Sequence, residues 1–157
     1  MRIVPLAGTH DRLRFDCGRT ELNDWLVRVA QQHQEKGLSR CFVAILEAEP
    51  SRICGFFALT LTEVDPKASP DHSRKRLPRV IPGVRLGRLA IDREYQKRGL
   101  GELLLINAIE RTRQVGEHAG VVGLFVDAID ERAALFYAHY GFVAFEDDPL
   151  KLYLHAR

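Results

Sequence analysis

One segment constrains the fold of this 157-residue chain more than any other, because a strand pattern and a helix pattern meet there across two glycines. Residues 84–92 (VRLGRLAID) predict a strand, and residues 100–115 carry apolar side chains at helical spacing. Between them lies QKRGLG, residues 96–101. Glycines permit a tight turn that directs several amides to one point, and the following helix adds the positive end of its dipole. The pattern predicts a phosphate-binding loop, or else a plain strand-to-helix corner.

This segment differs from the two common nucleotide-binding loops. The chain contains no GxxxxGK[ST] pattern, which excludes a P-loop nucleoside triphosphatase. It also contains no GxGxxG pattern followed by an acidic residue about 20 positions later, which disfavours a dinucleotide-binding fold. Neither class of nucleotide is therefore the expected ligand.

The remaining patterns predict an alternation of strands and helices. Residues 39–47 and 53–64 predict an antiparallel hairpin, and the apolar run 120–128 predicts a central strand. The other expected elements are a helix over 21–36 capped by Thr20 and ended by Gly37, a proline-rich loop over 65–83, a helix over 131–139, and strands over 141–145 and 150–154. This order predicts an α/β fold, with a mixed sheet and helices on both of its faces.

Length and composition predict a single domain, residues 1–157. No apolar stretch approaches the length of a membrane span, and the first 16 residues lack the apolar core of a signal peptide, so a cytoplasmic location is expected. The six histidines lack ligand spacing, so no metal is expected. Without a CxxC pair the three cysteines suggest neither a disulfide framework nor a zinc knuckle, and they are interpreted as small apolar residues: Cys17, Cys41 and Cys54.

Positive charge is concentrated in one part of the chain. Residues 74–98 include nine basic and two acidic residues, although the net charge of the whole chain is only +2. Such a block is typical of a polyanion-binding surface or, more simply, of a solvated loop. Because the block runs into the glycine loop, the polyanion-binding interpretation is favoured.

Two motifs resemble the GNAT superfamily of N-acetyltransferases. Residues 96–101 match its Q/R-x-x-G-x-G/A loop, which in that family holds the pyrophosphate of acetyl-CoA. Residues 130–142 (DERAALFYAHYGF) match its N-x-x-A-x-x-F-Y-x-x-x-G-F element, with Asp130 where the family usually has asparagine. The resemblance implies an acetyl-CoA-dependent enzyme with a central mixed sheet of six or seven strands, a splayed cofactor cleft and flanking helices.

The resemblance also implies roles for individual residues. The backbone of Leu89, Ala90 and Ile91 would pair with the pantetheine arm and polarise the acetyl carbonyl. Tyr137 would donate a proton to the departing sulfur, although a tyrosine can equally pack in a core with its hydroxyl bonded to backbone. The remaining cofactor-binding residues are expected to be Gln96, Lys97, Arg98, Gly99, Leu100, Gly101, Glu102, Asp130 and Phe136.

A narrower resemblance rests on three strings: FDCGRTELNDWL near the start, RLGRLAID before the loop and DPLKLYL near the end. They are similar to the acetyltransferase toxins of toxin–antitoxin pairs. Those toxins acetylate the α-amino group of aminoacyl-tRNA and are held inactive by a ribbon-helix-helix antitoxin. The resemblance implies the same substrate and the same kind of partner, and, as is frequent in the family, a homodimer.

The strand before the loop offers no evident general base. Residues 84–92 contain no glutamate, and Asp92 is equally suited to capping the strand end. An α-amino group has a pKa of about 7.7–8.0 and a lysine side chain one of about 10.4, so at neutral pH far more of the former is free amine. The chain therefore suits an aminoacyl or N-terminal amine. The tRNA acceptor stem is expected to lie on Arg74, Lys75, Arg76, Arg79, Arg85 and Arg88.

Two alternative functions are weighed against this one. The first is N-acetylation of a small amine or of a protein N-terminus, but the basic block disfavours a cationic acceptor. The second is a non-catalytic RNA-binding module on an inactive acetyltransferase fold. It accounts for the basic block but leaves both cofactor motifs and Tyr137 without a use.

Overall fold

The computed structural model describes residues 1–65 and 79–156 of the chain. Its helices in these ranges are α1 (Thr20–Arg28), α2 (Ala30–Glu35), a 3-10 helix (Arg93–Tyr95), α3 (Leu100–His118) and α4 (Glu131–His139). Its strands there are β1 (Arg2–Pro5), β2 (Arg40–Ile45), β3 (Gly55–Val64), β4 (Ile81–Ile91), β5 (Gly123–Asp127), β6 (Val143–Ala144) and β7 (Lys151–His155). None of the described helices has the length and apolar character needed to span a membrane.

The strands form one mixed sheet in the order β1-β2-β3-β4-β5-β7-β6. β1 pairs antiparallel with β2, and β2 with β3. β4 and β5 run parallel, with Val84–Leu86 opposite Leu124–Val126, whereas β7 is antiparallel to both β5 and β6. The predicted α/β class, the β2–β3 hairpin and the interior position of β5 are confirmed.

The chain divides into two compact units, each with its own apolar core. Unit 1 comprises Met1–Thr60 and Gly87–Ala108, and unit 2 comprises Leu61–Leu86 and Ile109–Arg157. In unit 1 the Phe56 ring is completely buried, with the Trp25 ring stacked 6.0 Å from it. In unit 2 the Phe125 ring lies 4.8 Å from that of Tyr153 and 6.1 Å from that of Phe145. Aromatic burial of this kind contributes much of the stability of small cores.

The helix expected over residues 21–36 is interrupted. Val29 has φ −121° and ψ −40°, and this non-helical backbone separates α1 from α2. Thr20 is not the cap, because Arg19 occupies the cap position and makes no side-chain capping bond. Gly37 does end the helix: at φ +72° it adopts the left-handed conformation that glycine tolerates, and the Leu38 amide donates to the His33 carbonyl at 2.8 Å.

Other boundaries also differ from expectation. The four residues of β1 form a strand that the sequence pattern did not indicate, because so short a run carries no periodicity. Of the loop expected over 65–83, residues 81–83 belong to β4, and residues 66–78 lie outside the described residues. β5 is shorter than predicted and begins at Gly123, where a Cβ would collide with the Leu154 carbonyl.

Candidate active site

The end of β4 is held by Asp92, which is only 4% exposed. One of its carboxylate oxygens accepts from the Glu94 amide at 3.0 Å, capping the 3-10 helix, and the other accepts from the Asp16 amide at 3.0 Å. The Arg52 guanidinium lies 3.6 Å from the same carboxylate. Of the two roles that the sequence left open for Asp92, the structure shows the capping one, because Asp92 is the N-cap of the 3-10 helix that follows β4. Its carboxylate is engaged in the structure of unit 1 and is not poised as a general base.

Gln96 anchors the start of the glycine loop. Its side-chain Nε2 donates to the Ile91 carbonyl at 2.9 Å and to the Cys17 carbonyl at 3.1 Å. The first bond ties the loop back to the strand that precedes it, and the second ties it to the segment before α1. The loop therefore leaves β4 in one fixed direction.

The backbone of the loop is arranged as a donor surface. Lys97 and Gly99 have φ values of +63° and +81°, and the helical bonding of α3 begins with the Leu103 amide donating to the Gly99 carbonyl at 3.2 Å. The amides from Lys97 to Glu102 have no acceptor among residues 1–65 and 79–156. Consecutive unpaired amides at a helix N-terminus form an anion site. The six predicted loop residues are thus brought together, and they fit a pyrophosphate.

The three strand residues expected to contact pantetheine lie in the second half of β4. Ala90 is buried, whereas Leu89 and Ile91 are half-buried. All three follow Leu86, at which the described parallel register of β4 with β5 ends. The backbone here is the part of β4 from which the family resemblance expects hydrogen bonds to the cofactor.

The second motif lies in unit 2 and begins with Asp130. Its Oδ1 accepts from the Ala133 amide at 2.8 Å and so caps α4. Asparagine makes the same kind of cap, so the departure from the family pattern preserves the start of this helix. Phe136 is half-buried and lies with its ring edge-to-face against Tyr137 at 5.3 Å.

Tyr137 is 9% exposed and packs among aromatic rings, including that of Phe142 at 5.5 Å. Burial raises its pKa to about 12, which keeps the phenol protonated at neutral pH. Its hydroxyl has no hydrogen-bond partner in the described part of the chain. The alternative in which this hydroxyl is tied to backbone is therefore not what the described residues show. A protonated hydroxyl that no described residue engages can donate its proton to a ligand.

Sequence and structure comparisons agree with this arrangement. Residues 38–144, more than half of the chain, match the family model described as "Acetyltransferase (GNAT) domain". The chain belongs to the GNAT acetyltransferase family. It is therefore an acetyltransferase, and the family resemblance, including its fold, is confirmed.

Individual relatives are similar over almost the whole chain. A tRNA-acetylating toxin of Mycobacterium tuberculosis (strain ATCC 25618 / H37Rv) is 36% identical over 149 residues, which are 95% of this chain and 88% of that protein. A solved structure of AtaT complexed with acetyl-methionyl-tRNAfMet has a TM-score of 0.90 at 29% identity, covering 98% of this chain and 94% of the other. A tyrosine-to-phenylalanine mutant of AtaT bound to acetyl-CoA and the C-terminus of the antitoxin AtaR has a TM-score of 0.82 at 28% identity, covering 99% and 92%.

The basic residues of this GNAT acetyltransferase are not equally available to a polyanion. Arg74, Lys75 and Arg76 lie outside the described residues, and Arg79 is exposed. The Arg85 guanidinium forms an ion pair with Asp127 at 3.1 Å. That of Arg88 lies 4.8 Å from the centre of the Trp25 ring, and burial lowers its pKa. The predicted tRNA surface is thus partly neutralised at Arg85 and partly covered at Arg88.

The cysteines of the acetyltransferase are not activated. Cys41 and Cys54 are completely buried and Cys17 is half-buried, and burial raises the pKa of all three thiols, to about 12 for Cys41. Their interpretation as small apolar residues is confirmed for Cys41 and Cys54. In residues 1–65 and 79–156 no three histidine, cysteine or acidic side chains are grouped so that they could hold a metal ion.

The sequence did not predict a role for Arg52, a buried cation that contacts the segment just before the glycine loop (residues 96–101, called the cofactor loop below). Its guanidinium lies 2.9 Å from the Glu94 carboxylate and 3.6 Å from that of Asp92. The hydrogen bond to Glu94 is the largest cause that raises the pKa of Arg52. No sequence signal marks this residue, since it follows the turn between β2 and β3 and lies 40 positions from Asp92 and 42 from Glu94.

Proposed function

We propose that this acetyltransferase moves the acetyl group of acetyl-CoA to the α-amino group of aminoacyl-tRNA and thereby blocks translation, as the toxin of a toxin–antitoxin pair. The observation that carries the proposal is the row of amides from Lys97 to Glu102, which have no acceptor among the described residues. It lies in a chain 36% identical to a tRNA-acetylating toxin. Acetylation of the amino group removes the nucleophile that peptide-bond formation requires.

The residues of unit 1 bind the cofactor, which supplies a thioester-linked acetyl group. The loop amides hold the pyrophosphate, as helix N-termini hold anions generally. Lys97 and Arg98 are exposed and add positive charge beside it. The backbone of Leu89, Ala90 and Ile91 pairs with the pantetheine arm and polarises the acetyl carbonyl, and Asp130 and Phe136 are the further cofactor-binding residues that the family resemblance implies.

Tyr137 acts as the general acid. When the amine nitrogen attacks the carbonyl carbon, the carbon–sulfur bond breaks and the sulfur needs a proton, which the phenol supplies. The hydroxyl has no hydrogen-bond partner among the described residues, and burial raises the pKa of Tyr137, so the phenol carries at neutral pH the proton that a general acid must donate. AtaT has been solved as a tyrosine-to-phenylalanine mutant together with acetyl-CoA, which accords with a tyrosine of special importance in these enzymes.

The acceptor is an α-amino group rather than a lysine side chain. β4 contains no glutamate, and the carboxylate of Asp92 is occupied by two amides and Arg52. Without a strong base the enzyme depends on an amine that is already deprotonated near neutral pH, which an α-amino group with a pKa of about 7.7–8.0 provides. The amine then loses its second proton to water after attack.

The tRNA contacts the basic residues predicted from the sequence, which are Arg74, Lys75, Arg76, Arg79, Arg85 and Arg88. Of those that the structure describes, Arg79 is the most open to a phosphate, because Arg85 is paired with Asp127 and Arg88 is stacked on Trp25. A guanidinium held flat on an aromatic ring still presents N–H groups at its edge. AtaT has been solved with a tRNA product and with its antitoxin, which supports both a tRNA substrate and an inhibiting partner for this chain.

The same proposal includes the setting in which the enzyme works. The chain acts as a single domain over residues 1–157 in the cytoplasm, where charged tRNA is available. It is neutralised by a cognate ribbon-helix-helix antitoxin, and it forms a homodimer. The competing proposal of a small amine or protein N-terminus as acceptor is favoured by no particular observation, and a non-catalytic RNA-binding module leaves the unpaired hydroxyl of Tyr137 without a purpose.

An acetyl-transfer assay tests the proposal directly. Radiolabelled acetyl-CoA is offered with charged total tRNA, uncharged tRNA, a polyamine and a peptide with a free N-terminus. Label should enter charged tRNA alone and be released with the amino acid on mild alkaline hydrolysis. Equal labelling of the peptide or polyamine would replace aminoacyl-tRNA by the alternative acceptor.

The salt dependence of the same reaction tests the basic surface. Each phosphate contact releases counterions, so kcat/KM for tRNA should fall steeply between about 50 and 200 mM salt. Arg79→Ala should reduce that slope by the contribution of about one phosphate contact. Arg113 forms a surface ion pair with Glu110 on α3, and Arg113→Ala should leave the slope unchanged. A slope that stays the same in Arg79→Ala would remove this residue from the tRNA surface.

A further inference from the structure

The buried cation Arg52 connects the core of unit 1 to the cofactor loop. It is 6% exposed, and its guanidinium bridges the carboxylates of Asp92 and Glu94, which flank the start of the 3-10 helix. The Asp92 carboxylate also accepts a hydrogen bond from the Asp16 amide, and the Asp92 amide donates one to the Cys54 carbonyl at 2.9 Å. The polypeptide between β4 and the loop is therefore fixed from several sides at once.

Tyr95 connects these contacts of Arg52 to the loop, because its ring is close to both Arg52 and Arg98. The Arg52 guanidinium carbon lies 5.0 Å from the centre of the Tyr95 ring, and that of Arg98 lies 5.6 Å from the same ring centre. The Tyr95 side chain also interacts with the Cys54 thiol. Cation–π contacts of this length are attractive. Tyr95 thus joins a buried arginine to an arginine of the loop whose amides hold the pyrophosphate.

We propose that Arg52 and Tyr95 are positioning residues for the cofactor: the Arg52–Tyr95–Arg98 stack holds the loop in the conformation that binds the pyrophosphate. This inference rests on the proposed function and adds two residues that lie outside both family motifs. Neither Arg52 nor Tyr95 is proposed to contact the substrate. They act by fixing Arg98 and the first amides of the loop before the cofactor arrives, which reduces the entropy lost on binding.

The test compares two acetyl donors in the full-length chain. Acetyl-CoA carries the pyrophosphate, whereas S-acetylpantetheine carries the same thioester without it. Tyr95→Leu removes the ring, Tyr95→Phe retains it, and Arg52→Lys keeps the charge without the planar fork. Arg113→Met is the matched control, because Arg113 is exposed on α3 and forms an ion pair with Glu110 there.

We expect Tyr95→Leu to raise the calorimetric Kd for CoA and the KM for acetyl-CoA about tenfold, with kcat within about twofold of wild type. Arg52→Lys should shift both in the same direction, and Tyr95→Phe should restore wild-type values. With S-acetylpantetheine all four variants should match wild type in kcat/KM, because that donor does not use the loop. Circular dichroism confirms that each variant is folded.

Three results would overturn the inference. An equal loss of kcat/KM with both donors in Tyr95→Leu and Arg52→Lys would mean that the stack is structural only. If Tyr95→Leu and Arg52→Lys both kept the wild-type ratio of kcat/KM for acetyl-CoA to kcat/KM for S-acetylpantetheine, the loop would not depend on the stack. If wild type itself used both donors equally well, the pyrophosphate site of the proposed function would fail, and this third result is distinguishable from the other two because it appears without any mutation.

Discussion

The cofactor loop of unit 1 and helix α4 of unit 2 are built on opposite principles. In the loop the functional groups that we propose are backbone amides, and the side chains of Gln96 and Asp92 hold the backbone in place. In α4 the functional group that we propose is one side-chain hydroxyl, on Tyr137, whose ring packs against other aromatic rings and whose oxygen has no hydrogen-bond partner in the described residues.

This difference predicts different sensitivities to mutation. A site made of backbone donors depends on φ and ψ and tolerates the loss of exposed side chains. A site made of one hydroxyl tolerates changes around it but not the loss of that oxygen. Substitutions that change one oxygen, one φ angle or one exposed charge therefore separate the two kinds of site.

The largest effect is expected for Tyr137→Phe. Removal of the general acid should lower kcat at least tenfold, since such catalysis contributes about 10²–10⁴-fold, and leave the Kd for acetyl-CoA nearly unchanged. Tyr153→Phe is the matched control, because the Tyr153 hydroxyl donates to the Val122 carbonyl at 3.0 Å and serves the core. It should lower Tm without lowering kcat. Equal single-turnover rates for wild type and Tyr137→Phe would exclude the acid role.

A smaller effect is expected for Gly99→Ala in the loop. No atom of the described residues lies within 4 Å of a Cβ built on Gly99, so the methyl group meets none of them, but the φ of +81° is unfavourable for alanine. Strain of about 1–2 kcal/mol should raise the Kd for acetyl-CoA about tenfold and leave kcat unaffected. Gly8→Ala adds a methyl group in equally open space without a positive φ, and it should bind acetyl-CoA as wild type does. Wild-type affinity in Gly99→Ala would contradict a backbone-dependent site.

A still smaller effect is expected for Lys97→Gly. This change removes an exposed charge near the phosphates and at the same time relieves a non-glycine residue at φ +63°. If the amides carry the binding, the Kd for acetyl-CoA should change by less than about fivefold, because exposed ion pairs contribute little. A loss much larger than that of Gly99→Ala would instead assign the binding to the Lys97 side chain.

The features that the sequence predicted well are those encoded by local pattern. The glycine loop, the helix over 131–139 and the apolar strand β5 were all visible, because a two-glycine turn, helical spacing and a continuous apolar run are short-range signals. The sequence left the role of Asp92 open, because its bond to the Glu94 amide is local whereas its bond to the Asp16 amide joins residues 76 positions apart.

The features that escaped prediction depend on residues distant in sequence. Arg52 meets Asp92 only after the sheet forms, and the pairing of Arg85 with Asp127 follows from neighbouring strands. A charge count therefore treated every arginine of the basic block as free. The sequence did not predict the break at Val29 either, because apolar residues at helical spacing continue through it and do not show where a helix is interrupted.

The smallest effect is expected in an alkaline titration, and it tests the Tyr137 half of the comparison without turnover. Burial raises the pKa of Tyr137 to about 12, whereas in the unfolded chain it is about 10. The protonated phenol therefore stabilises the fold fully below pH 10, and this contribution is lost as the pH rises through 12. Between about pH 8 and 10, wild type and Tyr137→Phe should show the same rise in tyrosinate absorbance and a constant difference in Tm.

Tyr140→Phe, on a half-buried ring of the same motif, is the control for a missing phenol. A tyrosinate signal that Tyr137→Phe abolishes near pH 10 would mean that water reaches the hydroxyl freely, and a hydroxyl exposed in that way would not be held in reserve for a departing sulfur.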